Sequence, residues 1–169
     1  TSAHAAATVS DMSWKPEVDE INQRRELGLK QGGEAGIARK HEKGRLTIRE
    51  RIDELVDKGS FDEIGKGAGA SERGSNGELI DFTPANFVVG FAEIEGRRVI
   101  VGGEDFTLKG GSPSPAGLRK SVYTEDLALQ YKLPLVRLHE GAGGSVGGSG
   151  GPSMPGPVFQ PSRFKSVAQ

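Results

Sequence analysis

At 169 residues the chain has the length of one ordinary domain, and 22 Lys and Arg offset 23 Asp and Glu to a formal net charge of -1, so no global field draws it to nucleic acid or an anionic membrane. The absence of cysteine excludes a disulfide framework, a thiol nucleophile and a thiolate metal site within this stretch, and no segment approaches the roughly 20 apolar residues that span a bilayer. Hydrophobic residues make up only 34%, and much of the remainder is accounted for by 26 glycines, which cluster at 65–77 and 141–156 as loops do.

Thr1 to Ser10 lack the charged start and apolar core of a secretory signal. With the missing cysteines this points to a cytoplasmic protein, and residues 1–12 read as a disordered tail. A helix is expected from Pro16, with Val18, Ile21 and Leu29 as a thin apolar stripe and Gly32-Gly33 as its stop. So thin a stripe suits packing along a larger body or a neighbouring subunit. The basic run Arg39 to Arg45 reads as a solvated face or subunit contact, with phosphate binding as the sharper alternative. Thr47-Ile48-Arg49-Glu50 is a capping box. Ile48, Ile52, Leu55 and Val56 follow on one helical face, and Gly59 ends the helix. Residues 13–64 are therefore expected to form a helical N-terminal extension.

From Gly65 to Gly77 the expectation is a flexible loop, continued irregularly from Asp81 to Ala85. Residues 87–94 and 97–101 are β-rich runs joined by Glu95-Gly96, a two-residue hairpin signal. A loop over 104–112 leads to a helix started by Pro113 or Pro115, with Leu118, Val122 and Leu129 on its apolar side, adjoined by Tyr123 and Leu127. Leu133 to Leu138 reads as a buried strand, and strand–helix–strand implies a right-handed crossover with a partly parallel sheet. After the glycine loop 141–151, residues 162–169 read as the first turns of a further helix. Residues 65–169 are thus expected to be the first part of a longer α/β domain.

Gly141-Ala142-Gly143-Gly144-Ser145, between a strand and a helix, can expose backbone N–H groups to an anion or a developing oxyanion. Neither the Walker A loop nor the dinucleotide fingerprint fits it: no Gly-Lys-Ser/Thr closes it, and Val146 stands where the fingerprint needs Gly or Ala. Lys109-Gly110-Gly111, leading into a helix, is a second anion-binding candidate, with Arg119 and Lys120 further along that helix. His139 and Glu140 are neighbours on an extended strand, facing opposite ways, and are assigned structural roles. The three histidines offer no i, i+4 metal pair.

Three segments, in order, resemble the carboxyltransferase (beta) subunits of biotin-dependent acyl-CoA carboxylases. Gly44 to Leu55 with Gly59-Ser60-Phe61 is similar to that family's opening G-K/R-L-T-x-R-E-R-I-x-x-L-x-D-x-G-S-F. Asp105 to Gly111 is similar to its D-F-T-x-x-G-G. Leu133 to Val136 and the glycine loop occupy the place of its D-S-G-G-A-R, with Glu140 at the Asp and Ser145 where the family has Arg. The resemblance implies a crotonase-like fold of repeated β-β-α units, of which part of the first domain is present. It implies an oxyanion hole from the amides of Ala142 and Gly143, with Gly144 beside them, and CoA contacts from Lys109, Gly110, Gly111, Arg119 and Lys120. It further implies carboxyl transfer from carboxybiotin to an acyl-CoA through a thioester enolate, biotin on a separate carrier domain or subunit, a biotin carboxylase partner, and a homo-oligomer, a hexamer in the family. Alternatives of the same fold are a biotin-dependent decarboxylase or transcarboxylase subunit, and a catalytically silent assembly subunit.

Overall fold

The computed structural model of the chain describes residues 13–112 and 114–141. Two helices open it, α1 (Lys15–Leu29) and α2 (Gly33–His41), before α3 (Ile48–Leu55). Six strands follow, β1 (Asp62–Glu63), β2 (Gly69–Arg73), β3 (Leu79–Pro84), β4 (Phe87–Ile94), β5 (Arg97–Glu104) and β6 (Leu135–Leu138), with α4 (Pro115–Tyr131) between β5 and β6.

The main sheet has the order β1-β4-β5-β6. β4 and β5 pair antiparallel along their whole length, from Phe87 opposite Glu104 to Ile94 opposite Arg97. The turn needs left-handed backbone at both central residues, and Glu95 (φ 51) and Gly96 (φ 73) supply it. β6 returns parallel to β5, Ile100 beside Leu135 and Gly103 beside Leu138, as the strand–helix–strand pattern predicts.

Period-2 alternation gives each face of this sheet its own core. Val88, Ala92, Val99 and Val101 face Ile48 and Ile52 of α3, with Val136 and Leu138 packed alongside. Phe87, Val89 and Ile100 face Leu127 and Ala128 of α4, with Leu135 alongside. Burying a side chain such as Ile52, which is fully inaccessible, contributes roughly 1.5–3 kcal/mol. The capping box fixes where α3 begins: Thr47 Oγ1 accepts from Glu50 N at 3.3 Å, and Glu50 Oε2 accepts from Thr47 N at 2.7 Å.

Four expectations are corrected. α1 stops at Leu29, just ahead of Gly32-Gly33, but Gly33 also opens a second, unexpected helix, α2, which takes up Arg39, Lys40 and His41 of the basic run. The reason is packing: a Cβ on Gly32 would lie 2.1 Å from the Thr107 carbonyl oxygen, so glycine lets the α1–α2 elbow sit against that loop. Residues 65–85 are not irregular, since β2 and β3 form an antiparallel hairpin from Gly69 opposite Pro84 to Arg73 opposite Leu79. Every residue of β2 is exposed, so no hydrophobic alternation marks it. The hairpin is tied to α1 by Arg73, whose guanidinium donates to Glu20 at 2.7 Å. β1, at the end of the stretch expected to be helical, already pairs with β4. On α4 the buried side runs through Gly117, Lys120, Thr124, Leu127 and Ala128, not through Leu118, Val122 and Leu129; its polar members are satisfied inside, Thr124 by the Lys120 carbonyl at 2.7 Å.

Candidate functional site

The C-terminal ends of β5 and β6 lie side by side, and the segments leaving them build one pocket. In open α/β sheets the crevice beyond the carboxyl ends of the strands is where ligands bind. Phe106, Thr107, Lys109 and Gly110 line it from the segment after β5, Glu140 from the segment after β6, and Gly36, Arg39, Lys40, Lys43 and Arg45 from α2 and the turn behind it. Five cationic side chains and one carboxylate thus share the pocket.

Asp105 holds the two halves together. Its Oδ1 accepts from Thr107 N at 2.9 Å and Thr107 Oγ1 at 2.5 Å, and Thr107 Oγ1 in turn accepts from Gly32 N at 2.8 Å. The D-F-T segment is therefore a tether that pins the α1–α2 elbow to the end of β5. Burial pushes the Asp105 carboxyl above the ordinary aspartate value, against the lowering effect of the Thr107 hydrogen bonds and of Arg49 and Lys40.

Glu140 receives Lys40 Nζ, a short contact, on Oε1, with Arg45 at 3.6 Å and Arg51 at 3.9 Å. Lys40 is 7% exposed, and its ammonium lies 5.1 Å from the centroid of Phe106. His139 turns elsewhere, its Nδ1 3.3 Å from Glu104 Oε1. The two side chains have separate partners and form no acid/base pair.

The sequence-derived candidates divide into three groups. Lys109 and Gly110 line the pocket; they lie in a 3-10 turn, Lys109–Gly111, with Gly111 packed inward and its Cα side against Phe106. That turn does not itself start α4, whose N-cap is Ser114, with Oγ accepting from Gly117 N at 3.0 Å. Buried Asn86 braces this start, donating to the Ser112 carbonyl at 2.6 Å and accepting from Ser114 Oγ at 2.7 Å. Arg119 is exposed on α4. Lys120 is buried and committed to the interior: its Nζ donates to the Gly65 carbonyl at 3.3 Å and lies 3.7 Å from Glu63 Oε1. Glu63 also accepts both Arg49 nitrogens, at 2.7 and 3.2 Å. Desolvation lowers the Lys120 pKa, and Glu63 opposes that effect. Ala142, Gly143 and Gly144 lie outside the described residues; Gly141 is the last before them.

Sequence reasoning missed Glu63, Asn86 and the basic partners of Glu140. Their partners lie 14 to 100 residues away, where no local spacing reports them. Among the described residues no group of His, Cys, Asp or Glu converges on a metal-sized site, and no helix is long and apolar enough to cross a membrane.

Comparison with known proteins identifies the family. The carboxyl transferase domain family matches residues 39–156. The propionyl-CoA carboxylase carboxyltransferase subunit of Haloferax mediterranei is 34% identical over 135 residues, 80% of this chain and 26% of that protein. The biotin-dependent acetyl-/propionyl-coenzyme A carboxylase beta5 subunit of Mycobacterium tuberculosis is 34% identical over 152 residues, 86% of this chain and 27% of that protein. Among solved structures, transcarboxylase 12S with methylmalonyl-coenzyme A and methylmalonic acid bound superposes with a TM-score of 0.63 at 27% identity, covering 83% of this chain and 26% of that one. The chain spans about a quarter of the length of these relatives.

Proposed function

We propose, since this chain belongs to the carboxyl transferase domain family, that the whole subunit moves a carboxyl group from carboxybiotin to an acyl-CoA. The described part carries one β-β-α unit of the crotonase-like fold, β4, β5 and α4, with α3 on the opposite face of the sheet. The observation that carries the reading is the cationic pocket at the ends of β5 and β6, immediately beside the root of the glycine loop.

CoA is recognised largely through its phosphates, and a pocket of lysines and arginines is chemically matched to them. Arg39, Lys43 and Lys109 are the cations offered to these groups, because the Glu140 carboxylate already holds Lys40 and approaches Arg45. With the phosphates seated there, the thioester would extend toward Ala142 and Gly143. Their amides would stabilise its oxygen as the α carbon, or a vinylogous γ carbon, gives up a proton and negative charge moves onto that oxygen. The pocket suits phosphate and not the uncharged ureido ring of biotin. The carboxyl donor is therefore assigned to a carrier on another domain or subunit, loaded by a biotin carboxylase partner in the cytoplasm.

Assembly as a homo-oligomer is part of the same reading. Trp14, Val18, Ile21 and Leu29 are 70%, 50%, 49% and 52% exposed along α1, an apolar stripe that a neighbouring subunit would cover, and transcarboxylase 12S, a structural neighbour, is described as a hexamer. That neighbour also supports a second reading, a transcarboxylase subunit that passes on a carboxyl group already carried by another compound in place of net carboxylation.

The phosphate assignment is tested by neutralising Lys109 and Lys43 together in the full-length subunit assembled with its biotin partners. The KM for acyl-CoA is expected to rise about three- to tenfold, as the loss of charge-assisted contacts on an exposed surface implies. The salt dependence of KM is expected to become shallower than that of the parent, because fewer cations meet the phosphates. An unchanged KM and salt slope would place the CoA phosphates elsewhere.

A further inference from the structure

The cations offered to phosphate stand on two separate walls: Arg39 on α2 and Lys43 in the turn behind it, and Lys109 on the segment after β5. At nine residues, α2 is too short to stand by itself, since isolated helices below roughly 12–15 residues are marginal in water. Its N-cap, Gly32, offers no side-chain cap. The position of α2 is therefore decided by what grips its two ends. Side chains hold the far end, Lys40 on Glu140 and His41 Nε2 on Glu50 at 2.9 Å. Main chain holds the near end: Gly32 N donates to Thr107 Oγ1 at 2.8 Å, and a Cβ on Gly36 would lie 2.9 Å from the Thr107 carbonyl oxygen. Thr107 is fixed in turn by Asp105, whose Oδ1 accepts from both its N–H and its hydroxyl. A hydroxyl that donates to the carboxylate turns its lone pairs to Gly32, so Asp105 sets the direction in which the elbow is received. Asp105 N donates to the Asn86 carbonyl at 3.0 Å, which ties this chain of contacts to the root of β4. Asp105 itself is 2% exposed and lies behind the pocket lining.

We infer that Asp105 is a positioning residue for acyl-CoA binding: through Thr107 it fixes the elbow before α2, and with it the spacing between the two cationic walls of the pocket, a role that rests on the phosphate reading of that pocket. A phosphate held between two walls needs cations within hydrogen-bond reach on both, about 2.7–2.9 Å for charge-assisted pairs. A displaced wall gives its contact up to water. The buried carboxylate touches no ligand, yet it determines whether Arg39 and Lys43 can act on the same ligand as Lys109. Loosening the tether removes binding that ground state and transition state share, so it appears in KM and leaves kcat near the parent value.

The test uses the full-length subunit, assembled with its biotin-carrying partners, and two variants that disturb the tether differently. Asp105→Ala removes the acceptor. Gly32→Ala keeps Asp105 and sets a Cβ 2.1 Å from the Thr107 carbonyl oxygen, at a backbone φ of -83 that alanine accepts, which forces elbow and loop apart. Each is expected to raise KM for acyl-CoA about three- to tenfold with kcat within about twofold of the parent. Asp105→Asn, whose amide oxygen still accepts from Thr107, should hold KM within about twofold. In a subunit with Lys43 and Lys109 neutralised, either tether variant should add less than about twofold, because the tether acts through those cations. Melting temperatures establish that each variant is read folded, and should Asp105→Ala not fold, Gly32→Ala decides. An unchanged KM in Gly32→Ala, a loss carried by kcat, or a full additional rise in the neutralised background would overturn the inference. If neutralising Lys43 and Lys109 raises KM and the tether variants do not, Asp105 has no such role and the phosphate site stands. If neutralisation leaves KM unchanged, the phosphate site falls and the role of Asp105 with it.

Discussion

Valine in place of Gly143 is expected to reduce carboxyl transfer by the full-length subunit by at least about 10²–10³-fold, the cost of losing one donor of an oxyanion hole. The effect is steric and conformational. A thioester oxygen must approach the main-chain N–H to hydrogen-bond distance, and a β-branched side chain both blocks that approach and restricts the backbone. Glycine has no side chain to pack into the cores on the two faces of the main sheet, so oligomer and melting temperature are expected to be those of the parent. Steady-state transfer of labelled carboxyl to acyl-CoA, with calorimetry on the same sample, separates the two effects. Full activity would show that the oxyanion hole lies elsewhere.

The second large effect concerns stability. Glu63→Gln removes the one carboxylate shared by Arg49 and Lys120, in a position where the Glu63 side chain is 4% and that of Lys120 10% exposed. Breaking such a buried arrangement by deleting one partner costs about 3–5 kcal/mol, because the remaining charge stays desolvated. The pH dependence has a definite sign. Burial already depresses the Lys120 pKa from 10.5, so the charged form is the one the fold penalises, and without Glu63 that penalty deepens. Stability is lost below the folded-state pKa and recovered as pH rises through it toward 10.5. The melting temperature of Glu63→Gln should therefore fall furthest below the parent at pH 7 and partly recover near pH 10. An equal deficit at both would mean that the lost Arg49 contacts dominate.

What the sequence reveals locally, the fold keeps. The helix from Ile48 is legible because its cap and its apolar face are contiguous, although it ends at Leu55 with Val56 already extended and not at Gly59, and each motif position has a physical duty: Thr47 and Glu50 cap, Ile48 and Ile52 fill the core, Arg49 reaches Glu63 and Arg51 approaches Glu140. The β4–β5 hairpin is legible for the same reason, since its β-rich runs and its Glu95-Gly96 turn are contiguous. The β2–β3 hairpin is not, because β2 buries no side chain. Gly32-Gly33 reads only as a stop, yet Gly32, like Gly36, is required by the close approach of Thr107. Lys40 reads as part of a solvated face or subunit contact and Lys120 as a candidate anion contact, whereas both are buried on carboxylates remote in sequence. Of the candidate site, Lys109 and Gly110 are found in the pocket, Lys120 is tied to the interior, and the oxyanion residues rest on resemblance alone.

Carboxyl transfer by the intact complex tests the central claim most directly. The full-length subunit, assembled with biotin carboxylase and biotinylated carrier, is given ATP, labelled bicarbonate and a panel of acyl-CoAs including acetyl-CoA and propionyl-CoA. Label is expected to appear in an acid-stable carboxylated acyl-CoA, and only when subunit, carrier and acyl-CoA are all present. A well-assembled complex that charges its biotin and passes label to no acyl-CoA would contradict the carboxyltransferase assignment and leave a subunit that assembles without catalysing.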